Sequence, residues 1–483
     1  MAATSNSDMR TILLEQTARA TRLLEPTAFA SELASLSKLR DRELRTAAAL
    51  RFIIAPVRAL PVELLIEIFA LTIRTDAGEI PSRSPHFADV FRVTHVCSEW
   101  RAITHGTPRL WTGRIVLYTR RAWDDSRHVD GLRSWLARSA PLSLAVSMNP
   151  TEESLPSLEE ELFNISPRWR SLELGDLPPP SFLSRLAKRG LENLEGLILR
   201  FPRDPEEGRA LSFGVTPRLR KLTAWFIPNS LNVPWAQLTD LYMVWQGAPG
   251  FNPLDILAHC PNLVQLSLIV PFLSIIFPAR ADIIVLPHLC QCALNFQFQD
   301  KDYFIPFLER LSAPVLKSLR LNPGLRTAWM EPTATAFQLR SPNVTRLDLF
   351  IDCLTAADLR TALLHTPSLT HLEVHKRRTN DIGFPRVLQY HDGREALVPH
   401  LHDLIINYLL RVVVPTEERN LVEMIASRWW TDSQLALRSV PPAVVRWTRL
   451  RITGTSPVVF GPKTRPMAKH LASEGLDVEI VEE

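Results

Sequence analysis

The chain has 483 residues, about three times the usual domain length of ~150, which favours several domains or an elongated array over one compact core. Hydrophobic residues make up 46% and charged residues 22%, a composition that excludes a mostly disordered chain. The net charge of +4, from 55 basic and 51 acidic residues, lacks the excess of positive charge typical of nucleic-acid binders. We therefore expect a folded protein without a nucleic-acid partner.

The cysteines and the N-terminus indicate the compartment. The chain has an odd number of cysteines without the paired spacing of metal ligands. They are Cys97, Cys260, Cys290, Cys292 and Cys353. This pattern is typical of reduced thiols in the cytoplasm or nucleus. Residues 1–8 show no apolar run behind a positive start, so we expect no secretory signal.

One stretch without charged side chains, residues 256–279, is long enough for a membrane span, which needs ~20 predominantly apolar residues. It contains Pro261, Pro271 and Pro278 together with several polar side chains. We expect a buried strand with flanking turns here, and no membrane partner.

The first predicted unit is a helical N-terminal lead over residues 1–57. Apolar residues such as Phe29, Leu33 and Leu36 recur at helical spacing, and Pro26 separates two helices. The alternating charges at residues 40–43 indicate a solvated helix face, with a short coiled coil as the alternative.

Residues 58–113 predict three short helical elements. Pro61 stands at a first helical position, and an amphipathic helix follows it. A loop is expected over residues 75–85, a second helix over 86–104, and a short third element around Leu110 and Trp111. A strand is expected at residues 114–118.

This segment resembles the F-box, a three-helix module, in the order and approximate spacing of its parts. The matching residues are Leu60-Pro61, Glu63, Leu64-Leu65, Ile68-Phe69, Val96-Cys97, Trp100 and Leu110-Trp111. The loop at 75–85 is longer than is usual, and Ser98-Glu99 replaces a common basic pair. Both features also resemble the F-box proteins that filamentous and mushroom-forming fungi carry in large numbers.

The resemblance implies an apolar face that docks a Skp-family adaptor, which in turn links to a cullin scaffold. The residues that form or support this face are expected to be Leu60, Pro61, Leu64, Leu65, Ile68, Phe69, Val93, Val96, Cys97, Trp100, Leu110 and Trp111. The sequence does not separate the residues that face the adaptor from those that fill the core of the F-box.

After a connector at residues 114–140, residues 141–483 contain a recurring Pro-x-Leu-x-x-Leu-x-Leu unit. Its central positions mostly fall 25 to 28 residues apart. They are residues 172, 197, 222, 241, 266, 292, 319, 347, 372 and 404. The alternation within a unit predicts a strand, and helical stretches precede several strands. The array resembles leucine-rich repeats, so we expect an α/β fold in which an irregular solenoid of stacked repeats follows the F-box.

The concave strand face of such a solenoid is expected to hold a target protein, and insertions at 375–399 and 415–442 are expected to form binding loops. The resulting hypothesis is a substrate-recognition subunit of an SCF-type ubiquitin ligase. A scaffold that uses the same F-box and repeats without a ligase role is the alternative. The identity of the target does not follow from the sequence.

A few histidines and cysteines stand close enough in the sequence to suggest a metal site. His371 and His375 flank Glu373, but on a strand they stand ~13 Å apart, so we expect two surface histidines and no metal site. Cys290 and Cys292 are expected to be buried and inert. The sequence contains no Walker-type loop, Gly-x-Ser-x-Gly elbow or His-Glu-x-x-His motif, so we expect a non-catalytic protein without catalytic residues or a cofactor.

Overall fold

The structure is a computed structural model, and it describes most of the chain. The described residues are 4–23, 26–54, 56–73, 85–118, 125–150, 156–175, 178–200, 211–225, 227, 231–245, 253–270, 282–296, 307–324, 331–352, 354–377, 383–393, 395–409, 415–454 and 464–482. Distances between Cα atoms divide the chain into two compact units. The first contains Met1–Arg74 and Asp89–Thr107, and the second contains Thr75–Ala88 and Pro108–Glu483.

The first unit is helical. Its helices are α1 (Thr4–Leu23), α2 (Pro26–Ile54), α3 (Val62–Thr72), α4 (Pro85–Thr94, of which the last six residues belong to this unit) and α5 (Ser98–His105), with a 3₁₀ turn at Pro56–Ala59. Helix α1 ends at Leu23, and α2 begins at Pro26, a residue that fits the first position of a helix because its missing N–H costs nothing there. The predicted loop at 75–85 lies outside the described residues except for Pro85, where α4 begins.

Local sequence explains where α3 and α5 begin. Pro61 directly precedes α3 with φ of −56°, an angle compatible with the start of a helix. The negative charge of Glu63 in the first turn interacts favourably with the positive end of the helix dipole. Cys97 caps α5, because its Sγ accepts a hydrogen bond from the backbone N–H of Trp100 at 3.4 Å. The Nε of Arg101 donates to the carbonyl of Thr94 at 3.0 Å, which fixes the start of α5 against the end of α4.

The second unit combines strands with helices. Its strands are β1 (Ile115–Tyr118), β2 (Leu144–Asn149), β3 (Trp169–Leu174), β4 (Gly196–Leu199), β5 (Leu211–Ser212), β6 (Lys221–Ala224), β7 (Leu231–Asn232), β8 (Asp240–Val244), β9 (Gln265–Val270), β10 (Ile284–Val285), β11 (Gln291–Phe296), β12 (Leu311–Ser312), β13 (Ser318–Asn322), β14 (Arg346–Phe350), β15 (His371–Lys376), β16 (Asp403–Tyr408), β17 (Arg449–Gly454) and β18 (Asp477–Glu482).

Its α-helices are α6 (Asp125–Ser139), α7 (Pro156–Asn164), α8 (Pro180–Lys188), α9 (Pro253–Ala258), α10 (Glu331–Leu339), α11 (Ala356–Leu364), α12 (Phe384–Leu388), α13 (Pro415–Ser427), α14 (Asp432–Ala436) and α15 (Thr464–Ser473). Short 3₁₀ turns lie at Pro108–Trp111, Ser166–Arg168 and Trp235–Gln237.

Fourteen of the described strands form one parallel sheet. Their order in space follows the chain, with β5, β7, β10 and β12 left out. These four pair separately, β5 with β7 and β10 with β12. Each strand of this sheet pairs in parallel with the next member of the same sheet along the chain, which is the pattern that a repeating strand unit produces.

The register of the sheet places the predicted central positions side by side. Leu172 pairs with Leu197, Leu197 with Leu222, and the series continues through Cys292 to Leu404 and Leu450. These side chains are buried, whereas the residues between them along each strand mostly are not. The period of two along the strand therefore separates a buried apolar face from a polar face.

Helices α10 and α11 cover part of the apolar face. Phe337 of α10 and Ala362 of α11 line a void of only about 10 Å³ together with Leu319, Leu347 and Leu349 of the strands. A void this small shows that the helices and the strand leucines fill the space between them closely. The main core of the unit therefore lies between the sheet and its helices.

Three asparagine side chains form hydrogen bonds between consecutive strand units. Asn193, Asn262 and Asn343 stand shortly before β4, β9 and β14, and each donates from Nδ2 to a backbone carbonyl of the preceding unit at 2.7 Å. These carbonyls lie in turns, where no strand partner satisfies them, so the side-chain bond compensates for the missing ladder contact.

The structure extends or corrects several expectations. The mixed helix and strand architecture with N-terminal helices is confirmed. The predicted connector at 114–140 contributes strand β1 and helix α6. Residues 415–427 form helix α13 and not a binding loop, because Leu421, Met424 and Ile425 recur at helical spacing and are buried.

The uncharged stretch at residues 256–279 contains the last residues of α9 and strand β9. Among the described residues, no helix combines the length and the apolar character needed to cross a membrane.

Candidate functional site

Helix α3 carries apolar side chains on two faces. Leu65 and Phe69 lie four residues apart and are buried. Leu64 and Ile68 also lie four residues apart, but their side chains are 50% and 38% exposed. One apolar face of α3 therefore belongs to the core of the first unit, and the other faces solvent.

The twelve predicted residues of the F-box segment separate into three groups. Leu65, Phe69, Val93, Leu110 and Trp111 are buried. Leu60, Cys97 and Trp100 are half-buried, and Pro61, Leu64, Ile68 and Val96 are exposed. Leu110 and Trp111 belong to the second unit, where the ring of Trp111 packs on that of Trp135 at 4.7 Å.

The predicted set of twelve residues leaves out three exposed apolar side chains of the same segment, Val62, Leu71 and Phe91. Leu71 is 86% exposed and completes the series Leu64, Ile68, Leu71 at helical spacing. The sequence already shows this i, i+4, i+7 spacing. It does not show which of the two apolar faces of α3 is exposed, because that depends on which face packs into the core.

The exposed face of α3 can bind a partner helix or groove by burial of apolar area. At about 25 cal/mol per Å², removal of side chains such as Leu64, Ile68 and Leu71 from water stabilises a complex by several kcal/mol before the entropy cost of association. Leu71 extends the face toward the C-terminal end of the helix.

The polar face of the large sheet forms a second candidate surface. An open concavity of about 530 Å³ runs across strands β6 to β15. Its centre is uncharged, with Tyr242 and Gln291 among its lining side chains, and Arg320 and Glu373 lie toward one end. We call this surface the strand face.

The most densely connected polar residues of the strand face surround His375. Its Nε2 lies 2.8 Å from Oδ1 of Asp348 on β14 and 3.3 Å from Oε1 of Glu373 on its own strand. The His375 side chain is only 9% exposed, so the expectation of a surface histidine is wrong. The ring of Phe350 stacks on the imidazole, and the carboxylate of Asp348 lies beside it. Both residues belong to the neighbouring strand β14, so the sequence around His375 does not predict these contacts.

Electrostatics around His375 follow from this placement. Burial opposes the charged imidazole, but the adjacent carboxylates of Asp348 and Glu373 outweigh it and raise the pKa of His375. The contact with His375 lowers the pKa of Glu373 against the effect of burial.

His371, the other histidine of the predicted pair, has different neighbours. Its Nε2 lies 3.5 Å from Oδ2 of Asp403, and its ring meets that of His402 at 5.2 Å. Burial lowers the pKa of His371, and the charge of Asp403 only partly offsets this. The two histidines therefore belong to separate groups of side chains.

The thiols of the second unit are placed for packing. Cys292 occupies a central position in β11, and Cys260 follows α9. Both are buried, and burial raises the pKa of each thiol to about 12. Cys290 is half-buried, and Cys353 lies outside the described residues.

Comparison with known proteins identifies the helical segment. A search of curated proteins finds no relative of this chain. A family model described as F-box-like matches residues 57–115, which include α3, α4, α5 and the start of β1. The match covers the exposed face of α3 and, of the large sheet, only the first residue of β1. The chain therefore contains an F-box-like domain at residues 57–115, which supports an F-box protein with a role in protein-protein interaction.

Proposed function

We propose that this protein is the substrate-recognition subunit of an SCF-type ubiquitin ligase. In this proposal the F-box-like domain docks a Skp-family adaptor, the adaptor links it to a cullin scaffold, and the second unit holds the target protein. The observation that carries the proposal is the exposed apolar face of α3 inside residues 57–115.

The adaptor is the best supported partner, because F-box domains generally bind adaptors of the Skp type. The face made by Leu64, Ile68 and Leu71 supplies apolar area that a helical adaptor can cover. Buried Leu65 and Phe69 hold α3 in the unit while this face stays available.

We also propose that the large sheet is an irregular leucine-rich-repeat solenoid, of the kind found in the F-box proteins of mushroom-forming fungi. The in-register leucines and the asparagine bonds between units support this proposal. The target would lie on the strand face, where the concavity of about 530 Å³ offers polar side chains from neighbouring strands.

The protein is proposed to be non-catalytic and to work in the cytoplasm or nucleus, where its partners would act. Transfer of ubiquitin would take place on the assembly and not on side chains of this chain.

The test is reconstitution of the full chain with a Skp-family adaptor and a cullin, followed by size-exclusion chromatography. The proposal predicts that all three elute together. Adaptor binding without cullin recruitment would favour the alternative, a scaffold that uses the same two surfaces.

A ligase and a scaffold also differ inside the cell. If the protein is a ligase receptor, depletion should lengthen the half-life of proteins that bind the strand face. Unchanged half-lives of all such proteins would contradict the ligase role.

A further inference from the structure

Three potential metal ligands from two adjacent strands converge on the strand face. They are His375 Nε2, Asp348 Oδ1 and Glu373 Oε1, and all three atoms lie within 4.8 Å of one another. Asp348 and Glu373 are paired in the register of β14 and β15, and His375 follows Glu373 by two residues on the same face. We call these residues the His375 cluster.

The shortest contact in the His375 cluster is not a hydrogen bond. His375 Nε2 and Asp348 Oδ1 are 2.8 Å apart, yet both atoms are buried and neither forms a hydrogen bond of acceptable direction. Two buried polar atoms without hydrogen bonds are costly. A cation placed between them and Glu373 would satisfy both.

Neighbouring side chains fix the imidazole. The ring of Phe350 stacks on it at 4.3 Å with an angle of 10° between the planes. Asn407 on β16 contacts His375 Nδ1 at 3.2 Å and donates to Glu373 Oε1 at 2.7 Å. The hydroxyl of Thr453 on β17 donates in turn to Oδ1 of Asn407. Metal-binding histidines usually donate their second ring N–H, whereas Nδ2 of Asn407 is a donor here and His375 Nδ1 accepts from it.

A bound metal requires the proton of a neutral His375 to sit on Nδ1. The amide of Asn407 can accept that proton after a 180° turn that presents Oδ1 to the ring, and the Thr453 hydroxyl can then accept from Nδ2. This turn gives up the hydrogen bond from Nδ2 to Glu373 Oε1 and brings Oδ1 close to that oxygen, so it requires a cation bound to the Glu373 carboxylate.

We propose that Asp348, Glu373 and His375 bind a divalent transition-metal ion, with Zn²⁺ as the expected species. One imidazole nitrogen and two carboxylate oxygens form a ligand set that Zn²⁺ accepts. Arg320 forms an ion pair with the other carboxylate oxygen of Asp348, with Nε 3.0 Å from Oδ2, so Oδ1 is the oxygen that binds the metal. Asp348 and Glu373 also line the concavity, so the fourth coordination position faces it and is open to water or to a side chain of a bound protein.

The experiment uses the full chain after removal of metals with a chelator. Co²⁺ is titrated first, because its visible absorption reports the coordinating atoms, and Zn²⁺ is then titrated by calorimetry. The proposal predicts one ion per chain, displacement of Co²⁺ by Zn²⁺, and an affinity that falls at least about tenfold in both Asp348→Asn and Glu373→Gln.

His371→Gln is the matched control, since His371 lies on the same strand and face but outside the His375 cluster. It should bind Zn²⁺ as the parent does. Glu373 is the most exposed of the three ligands, so Glu373→Gln keeps the test informative even if Asp348→Asn fails to fold. Absence of binding by the parent, or equal binding by Glu373→Gln, would overturn the proposal and leave a protonated His375 between the carboxylates.

Discussion

The rings of Phe69 and Trp100 pack against each other with their centroids 4.7 Å apart. Phe69 is fully buried on α3, and Trp100 lies in the first turn of α5. This contact anchors one side of α3, so Leu64 and Ile68 on the other side are held on a fixed helix. The geometry of the proposed adaptor surface thus depends on a core contact that the adaptor itself need not touch.

Ile68→Asp tests the exposed face of α3. We expect adaptor affinity to fall at least ~100-fold, because a carboxylate would have to be desolvated in an apolar interface. The melting temperature should change little, since the side chain is already 38% exposed. Surface plasmon resonance with an immobilised Skp-family adaptor and a thermal melt measure the two quantities.

Phe69→Ala is the matched core control. Loss of this buried ring should lower the free energy of unfolding of the first unit by about 3–5 kcal/mol. A result in which Phe69→Ala is stable while Ile68→Asp unfolds would reverse the assignment of the two faces.

The Cys97 cap predicts a graded effect on α5. Cys97→Ser retains a side-chain acceptor for the Trp100 N–H, whereas Cys97→Ala removes it and should cost about 1 kcal/mol. Amide hydrogen exchange at Trp100 is the direct measurement. Equal exchange in the parent and in the alanine variant would show that the thiol does not act as a cap.

Lys376 and Glu417 form a buried ion pair on the helix side of the sheet, with Nζ 2.5 Å from Oε2. Glu417→Gln leaves a buried ammonium group without its counter-charge and should lower the free energy of unfolding by about 3–5 kcal/mol. Chemical denaturation of the full chain measures this loss.

The double variant Lys376→Met with Glu417→Leu should recover most of that stability, because an apolar pair of similar volume avoids the desolvation of both charges. If the double variant is less stable than Glu417→Gln, a specific hydrogen-bond network around the pair contributes more than the charges. The buried hydroxyl of Tyr408, whose pKa is raised by burial and by the charge of Glu417, is the candidate for that network.

The buried thiols predict a dependence of stability on pH. The pKa of Cys260 and of Cys292 rises from 9.0 to about 12 in the fold, so the unfolded chain loses these protons first. Stability should therefore fall as the pH rises from about 9 toward 12.

Thiol alkylation at pH 9 checks the same groups by mass spectrometry. Cys260 and Cys292 should stay unmodified in the folded chain, while the half-buried Cys97 and Cys290 serve as internal reference thiols. Modification of Cys292 before Cys290 would contradict the burial of the central position of β11.

Much of this architecture is predictable from sequence because it repeats. Leu266 and Leu268 alternate inward on β9, and the spacing from Leu266 to Cys292 predicts the neighbouring strand in the register that the structure shows. A period visible over many units is a strong signal, since the same local pattern must be buried each time.

Features that depend on one neighbouring strand are not predictable in this way. His375 follows Glu373 on β15, and the sequence predicts that it faces solvent with the other polar residues. Its burial results from Phe350 and Asp348, which lie about 25 residues earlier and become neighbours only through the β14 and β15 pairing. The division of Leu64 from Leu65 likewise depends on tertiary packing, because both faces of α3 are apolar.

Adaptor binding by the full chain is the most direct test of the central claim. The full chain and its Ile68→Asp variant are each co-expressed with a Skp-family adaptor and separated by size-exclusion chromatography. We expect a one-to-one complex for the parent and separate elution for the variant. Separate elution of a folded parent and adaptor, or equal complex formation by both chains, would contradict the assignment of this face of α3 as the adaptor site.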